Sequence, residues 1–202
     1  MNDLVLGRMV VQPIRDLKTL DNISEYLRQK NIKYYVMWKI GLHTGLRVSD
    51  IISLKVLDVR SKDGTISNRI TIRTKKTGRI DEYFITDSLK RILKIYVDDL
   101  EDYQVLIPTE SKNNITFNKH ITRQWAWQVI NEAGAACGVK ERIGTHTMRK
   151  TLGYHLYKKT KDIVKVQKVL KHSGRKETPE YTLIYICITS EDIEKDVNEL
   201  DL

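Results

Sequence analysis

The sequence predicts one α+β domain that is mostly helical and contains one small antiparallel sheet of three strands. Along most of the 202 residues, apolar side chains recur at steps of three and four, which is the spacing of amphipathic helices. Between residues 67 and 85 the spacing changes to two, which is typical of paired strands. A hydrophobic content of 41% and only three prolines indicate a folded chain of single-domain size.

Three helices are expected before the strands. The first, over about 14–30, has four apolar residues that share one face. The second, over about 33–43, is apolar on nearly every side, so it should be buried. The Thr-Gly pair that follows should end it, because glycine readily takes the left-handed conformation of a helix terminus. A third helix is expected from about Val48, with Ser49 or Asp50 as its cap.

The strands are expected after the third helix. Residues 67–74 (SNRITIRT) and 80–85 alternate polar and apolar side chains, which predicts a hairpin. The segment KKTGR around Gly78 supplies its turn. Residues 56–59 are expected to form the third strand, joined to the hairpin through the turn SKDG.

Helical spacing returns after the hairpin and continues almost to the end of the chain. Further helices are expected over about 88–100, 118–134, 145–158, 161–170 and 192–200. No repeat, linker or low-complexity stretch interrupts the pattern. We therefore expect an N-terminal extension over 1–10, one domain over 11–190 and an acidic C-terminal tail over 191–202.

The composition favours a polyanionic partner. The chain has 35 Lys and Arg against 26 Asp and Glu, a net charge of +9, and clustered cations of this kind neutralise phosphates. A basic surface without any nucleic-acid partner is the alternative. The sequence has no apolar run long enough for a membrane span and no signal peptide, and Cys137 and Cys187 make no metal-ligand or disulfide pattern. These features predict a cytoplasmic protein that does not enter a membrane.

Several side chains in four segments could hold a phosphate group. They are Arg47 in HTGLR, Lys76 in KKTG, His146 and Arg149 in HTMR, and His172 in LKHS. Any one of them alone is more often a helix cap, a solvated side chain or part of the core. Together they are donors for the negative charge that grows on a phosphodiester during attack, and a tyrosine after His172 would supply a nucleophile. Because no carboxylate cluster for paired magnesium ions and no phosphate loop for ATP is present, we expect no cofactor.

Taken in order, these segments resemble the catalytic domain of tyrosine recombinases, the phage integrase family, and particularly integrases from mobile elements of Gram-positive bacteria. The resemblance covers about 11–193 and depends on HTGLRVSDIISLKVLDV, RTKKTGR, GTHTMRKTLGYHLYKK, VQKVLKHS and PEYTLIYICIT. It implies the fold of DNA breaking-rejoining enzymes over 11–190. It also implies an enzyme that cuts and rejoins double-stranded DNA through a 3′-phosphotyrosyl intermediate, without metal or ATP. Such a protein would be a monomer in free solution and a dimer to tetramer on DNA.

The resemblance gives four residues a role in holding the scissile phosphate. Arg47 and Arg149 would be its two clamping arginines. His172 matches a position at which histidine or tryptophan hydrogen-bonds a non-bridging oxygen. Asp50 lies where an acidic residue often buttresses the first arginine.

Proton transfer and the nucleophile are assigned in the same way. Lys76 would protonate the departing 5′ oxygen, and His146 would handle protons near the phosphate. Tyr181 lies nine positions after His172, which is the spacing of most relatives. The wording around the nucleophile in relatives, S-P-E-I-T-L-R-Y-I-G-I-T, instead matches TPEYTLIYICIT and selects Tyr185. We expect Tyr185 to be the nucleophile, with Tyr181 as its rival.

Departures from the family pattern keep other functions open. Ile184 and Cys187 replace the usual arginine and glycine beside the nucleophile. The catalytic pattern also begins almost at once, where relatives usually carry a helical clamp domain first. The alternatives are a catalytically impaired DNA-binding accessory protein of the same fold and an enzyme that relaxes DNA strands as type IB topoisomerases do.

The acidic end of the chain is expected to be a docking segment. Apolar residues are set into it at Ile186, Ile188, Ile193, Val197 and Leu200. So short a segment needs a groove in which to bury this stripe. The resemblance places that groove on a neighbouring protomer, and the same domain is the alternative.

Overall fold

The computed structural model describes residues 10–73, 78, 80–110, 118–172 and 178–199. Within these ranges the chain forms helices α1–α9 and strands β1 and β2. The helices are Leu17–Lys30, Ile32–Thr44, Val48–Ser53, Asp87–Val97, Arg123–Ala136, Thr147–Thr160, Ile163–Val169, Pro179–Tyr185 and Ser190–Asn198. The strands are Arg69–Arg73 and Ile80–Phe84. The prediction of a mostly helical α+β chain with a small antiparallel sheet is confirmed.

The sheet of the described residues has two strands, not the expected three. β1 and β2 pair antiparallel, with Arg69 opposite Phe84 and Arg73 opposite Ile80. This register places Tyr83 on the buried face of the hairpin, directed toward the helices that carry most of the candidate site residues. Between the two strands only Gly78 belongs to the described residues, so the expected turn KKTGR lies mostly outside them.

The expectation of a strand over 56–59 is wrong, because this segment forms a 3₁₀ turn at Val56–Asp58. Val56 and Val59 are both fully buried, whereas Leu57 between them is 52% exposed. A spacing of three between buried residues fits a helical turn, not the alternation of a strand. The Asp58 carboxylate also accepts the backbone N–H of Lys55, which closes the turn.

One helix cap and one helix start differ from the prediction. Arg47 is the N-terminal cap residue of α3, because its backbone is extended and the helix begins at the next residue, Val48. The Arg47 side chain makes no capping hydrogen bond. The proposed caps Ser49 and Asp50 lie inside the first turn. The helix expected from 118 begins at Arg123, since Thr122 caps it by accepting the backbone N–H of Trp125.

The spacing of apolar residues in the sequence does not predict helix α8. A threonine cap and a proline at the first helical position introduce it, which is a recognised start signal. With only seven residues, α8 is too short to be stable alone, so its position depends on packing. That packing comes from a small apolar cluster around Val166, Leu170 and Ile186, which joins α6, α7 and the end of α8.

The main core lies on the other side of α6, where α2 packs against α1, α4 and α6. Trp38 of α2 is fully buried there, and its indole N–H donates to the Ser24 hydroxyl of α1. This core therefore holds α2, with the turn that follows it, against the helix that carries Arg149. None of the described helices combines the length and apolar character that a membrane span requires.

Gly41→Ala is expected to destabilise the protein through the contact between α2 and α6. A Cβ at Gly41 would lie 2.4 Å from the sulfur and 2.8 Å from the Cβ of Met148. Overpacking of this kind costs about 1–3 kcal/mol, more than the gain from replacing a helical glycine, which is at most about 1 kcal/mol. Urea denaturation should show a lower free energy of unfolding, and a stability at or above wild type would contradict the packing described here.

Candidate active site

A tight turn after α2 brings Arg47 to the site. Gly45 has a left-handed φ of 69°, and a Cβ there would lie 3.1 Å from the methyl groups of Leu152 and Leu170. Any other residue would thus be strained in conformation and crowded by its neighbours. The hydroxyl of Thr44 accepts the backbone N–H of Leu46 and stabilises the turn. The exposed Arg47 side chain follows directly, at the start of α3.

Arg149 is the buried centre of the site, with only 2% of its surface exposed. Its guanidinium donates to the carbonyl of Gly45, in the turn after α2, and to the carbonyl of Leu170, at the end of α7. These bonds fix the plane of the guanidinium from two sides. Since arginine has five N–H donors, others remain, and one interaction reaches the hydroxyl of Tyr185.

The hairpin joins this centre through Tyr83. Burial raises the pKa of Tyr83, and the positive charges of Arg149 and Arg47 partly oppose the rise, while Asp81 and Asp50 reinforce it. Tyr83 therefore lies within electrostatic reach of both arginines. Asp50 is on the first turn of the helix that Arg47 caps, and a role as buttress for Arg47 stays a prediction.

His146 lies at the start of α6, three residues before Arg149, and its Nδ1 atom is 3.4 Å from the hydroxyl oxygen of Tyr185. Partial burial lowers the pKa of His146 from 6.5, and the positive charges of Arg149 and Lys150 lower it further. The imidazole is accordingly neutral near pH 7. A neutral imidazole can accept a proton from the phenol that faces it.

Tyr185 is the last residue of α8 and is partly buried. Burial raises the pKa of Tyr185 above 10, and the charges of Arg149 and Arg47 oppose that rise. Its ring and the His172 ring form a T-shaped pair, with 4.8 Å between the centroids. At neutral pH the side chain is therefore a phenol, which must lose its proton before it can act as a strong nucleophile.

The rival tyrosine lies one helical turn earlier. Tyr181 is 46% exposed, and its ring is stacked at 6.5 Å from that of Tyr185. His172 is buried between α7 and α8, with Nδ1 3.3 Å from the Thr182 hydroxyl and its ring 6.1 Å from that of Tyr181. The contacts with His146 and Arg149 described above belong to Tyr185.

One predicted site residue, Lys76, lies outside the described residues. Sequence reasoning also missed one neighbour of Tyr185, namely Lys150, whose ammonium contacts the Tyr185 ring and the Cys187 sulfur. Among the residues that the structure does describe, no three His, Cys, Asp or Glu side chains come together as metal ligands.

The chain is similar to known proteins along most of its length. The model of the phage integrase family matches residues 15–185. The chain is 39% identical over 179 residues to "Probable integrase/recombinase YoeC" of Bacillus subtilis, a match that covers 89% of this chain and 91% of the relative. It is 27% identical to the tyrosine recombinase XerD of Oceanobacillus iheyensis, over 83% of this chain but 57% of that protein. The chain thus spans little more than half the length of that relative.

Solved structures show the same fold. The XerA recombinase superposes with a TM-score of 0.71 at 16% identity, over 94% of this chain and 66% of that one. A XerH recombinase bound to its palindromic difH substrate gives 0.70 at 17% identity, over all of this chain and 56% of that one. The catalytic domain of bacteriophage HP1 integrase gives 0.60 at 18% identity, over 93% and 94% of the two chains. The family model matches residues 15–185, and the YoeC protein is similar over 89% of this chain and 91% of its own length. This chain therefore belongs to the phage integrase family of tyrosine recombinases.

Proposed function

We propose that the protein is a site-specific recombinase or integrase that cuts and rejoins double-stranded DNA through a 3′-phosphotyrosyl intermediate. The observation that supports this best is the position of the Tyr185 hydroxyl, which lies 3.4 Å from His146 Nδ1 and interacts with Arg149. The proposed nucleophile, proton acceptor and phosphate-binding cation thus lie next to one another. The type IB topoisomerase alternative would use similar chemistry, whereas an inactive accessory protein would have no need for this arrangement.

In the proposed cleavage step, the attacking oxygen loses one proton and the departing 5′ oxygen gains one. The Tyr185 oxygen attacks the scissile phosphorus while its proton passes to neutral His146. The bond from phosphorus to the 5′ oxygen breaks, and that oxygen takes a proton from Lys76. Rejoining is the reverse: a 5′-hydroxyl attacks the phosphotyrosine, and Tyr185 recovers its proton.

Positive charge supplies the rest of the catalysis in this proposal. During attack, negative charge grows on the non-bridging oxygens, and Arg47, Arg149 and His172 are the donors for it. Arg149 is already held by two carbonyl groups, so it needs little rearrangement when the phosphate arrives. Because the phosphodiester energy is kept in the phosphotyrosine, the reaction requires neither ATP nor a metal ion.

Double-stranded DNA is the partner that we propose. The net charge of +9 favours a polyanion. Two structural neighbours are a XerH recombinase bound to difH and a λ integrase dimer bound to a core site, with TM-scores of 0.70 and 0.63. For this chain we propose a monomer in free solution that assembles as a dimer to tetramer on DNA in the cytoplasm.

A nicked suicide substrate tests this function. Duplexes that the protein retains from a random pool would supply the binding site, and a nick near the cleavage position would let the cut fragment diffuse away. We expect a covalent protein–DNA adduct in EDTA and without ATP. A gel shift without any adduct would instead identify an accessory DNA-binding protein. Relaxation of supercoiled DNA without exchange between two sites would favour the topoisomerase alternative.

Lys76→Ala is expected to slow adduct formation by about 10²–10⁴-fold, which is the usual contribution of a general acid. A substrate with sulfur in place of the 5′-bridging oxygen should restore the rate, since a thiolate leaves without a proton. Arg47→Ala is the matched control, because the sulfur substrate does not replace a phosphate clamp. If sulfur fails to rescue Lys76→Ala, or rescues both variants equally, Lys76 is not the general acid.

The C-terminal helix α9 is the segment that we propose to dock on a neighbouring protomer. In the single chain it lies against its own α6, where Lys158 and Lys161 pair with Asp196 at 3.1 and 2.5 Å. Such surface pairs contribute about 0–1 kcal/mol each, so exchange between protomers costs little. Ile193 and Val197 remain exposed on the helix and offer an apolar contact. Of the predicted stripe, Ile186 belongs instead to the small cluster under α8.

Deletion of residues 191–202 is expected to leave binding to a single DNA site nearly unchanged and to remove cooperative pairing of two sites. The reason is that α9 provides contacts between protomers in this proposal, while the phosphate-binding residues all precede it. Gel-shift titration on one-site and two-site duplexes measures both effects. Cooperativity at the wild-type level in the truncated protein would show that the tail has no docking role.

A further inference from the structure

Lys150 is a buried lysine that the proposed mechanism does not use. It follows Arg149 on α6, yet only 5% of its surface is exposed. Lysine is almost never fully buried unless it is paired. Among the described residues, the contacts of its ammonium are the Cys187 sulfur at 3.5 Å and the ring of Tyr185, whose centroid is 5.1 Å away. No carboxylate among the described residues forms an ion pair with the Lys150 ammonium.

This placement is unfavourable for the fold alone. Removing an ammonium from water costs several kcal/mol, and a thiol and an aromatic ring return only part of it. Burial lowers the pKa of Lys150, and its contact with the Cys187 sulfur opposes that effect only in part. A cost of this kind is found mainly where a buried charge serves a function.

The ring of Tyr185 is what Lys150 contacts on the active-site side. A cation within about 6 Å of a ring centroid is attracted to the ring, more strongly when water is excluded. The His172 ring, in a T-shaped contact at 4.8 Å between the centroids, holds the same tyrosine from another direction. Because α8 is only seven residues long, contacts of this kind decide where the hydroxyl points.

We propose that Lys150 is a positioning residue for Tyr185, whose ammonium holds the ring so that the hydroxyl stays between His146 and Arg149. This proposal rests on the proposed function in one respect, which is that Tyr185 is the nucleophile. The restraint on the ring itself exists without DNA. A displacement of about 1 Å in a reacting group can cost about 10²-fold in rate, so a restrained ring matters for cleavage.

The first part of the test separates DNA binding from cleavage. Lys150→Met removes the charge and keeps much of the volume, Lys150→Arg keeps the charge, and Lys159→Met removes an exposed charge from the same helix. We expect Lys150→Met to bind an uncut site as Lys159→Met does, but to form adduct about 10–10²-fold more slowly at saturating protein. Lys150→Arg should recover most of that rate, because a guanidinium also binds over an aromatic ring.

The second part needs no activity. With 3-fluorotyrosine placed at position 185, the fluorine NMR signal should differ from that of the free amino acid in the wild type and in Lys159→Met. In Lys150→Met it should move toward the free value, and in Lys150→Arg it should stay near that of the wild type. Thermal melting of each variant shows that the comparison concerns folded protein; if Lys150→Met does not fold, Lys150→Gln takes its place.

The outcomes separate this proposal from the proposed function. If the wild type forms no adduct, the proposed function fails, while the fluorine signal still decides whether Lys150 holds the ring. If the wild type forms adduct but Lys150→Met has the rate or the fluorine signal of the wild type, only the proposal for Lys150 is overturned. A folded Lys150→Arg that is as slow as Lys150→Met would overturn it as well, since the charge would then not be the cause.

Discussion

Tyr185→Phe is expected to abolish the covalent protein–DNA adduct, whereas Tyr181→Phe should retain it. Only the hydroxyl of Tyr185 lies within 3.4 Å of His146 Nδ1 and also interacts with Arg149 in the described part of the chain. Removing it leaves no oxygen to attack phosphorus at that point, so the loss should be complete. Trapping on a nicked substrate, followed by denaturing electrophoresis, measures the adduct.

Tyr181→Phe is the matched control for this experiment, because the two tyrosines lie one turn apart on α8 and their rings stack. DNA binding should be similar for both variants, since each loses only one neutral hydroxyl. The reverse result, with adduct from Tyr185→Phe and none from Tyr181→Phe, would make Tyr181 the nucleophile. It would also mean that α8 moves when DNA binds.

Arg149→Ala is expected to combine a large loss of cleavage with a loss of stability. The cleavage rate should fall by about 10²–10³-fold, the usual effect of removing a donor from a charged transition state. The carbonyl groups of Gly45 and Leu170 would also lose their buried partner, which costs about 1–3 kcal/mol for each group. Adduct kinetics and urea denaturation measure the two effects.

Arg47→Ala separates these effects, because the Arg47 side chain is exposed and makes no capping hydrogen bond to α3. It should lower the cleavage rate to a similar extent and leave the free energy of unfolding close to that of the wild type. Arg149→Lys should not restore the Arg149 function, since an ammonium cannot reproduce the planar fork of a guanidinium. A rate near that of the wild type for either alanine variant would contradict the phosphate-clamp assignment.

Local patterns predicted most of the fold, and errors arose where spacing alone was ambiguous. Gly45 ends α2 in the left-handed conformation that the Thr-Gly pair indicated. Val56 and Val59 were interpreted as part of a strand, although their spacing of three also fits the 3₁₀ turn that they form. Helix α8 was missed because it has few residues and owes its stability to tertiary contacts, despite the Thr178 cap that introduces it.

The candidate site was predicted as a set of residues but not as an arrangement. Motifs indicated Arg149 and Tyr185, yet the carbonyl partners of Arg149 lie 104 and 21 residues away in the chain, a relation that no local pattern contains. Lys150 carried no signal, because a lysine on a helix is usually solvated. The choice between the two tyrosines likewise depends on which hydroxyl reaches His146, and that is a property of the folded chain.

Identification of the residue that carries the DNA tests most directly whether Tyr185 is the nucleophile. Wild-type protein would be trapped on a nicked duplex in EDTA without ATP, digested with a protease and a nuclease, and analysed by mass spectrometry. We expect a single modified peptide, with a nucleotide joined through its 3′-phosphate to the phenol oxygen of Tyr185. A nucleotide on Tyr181, on any other residue, or on none would contradict this expectation.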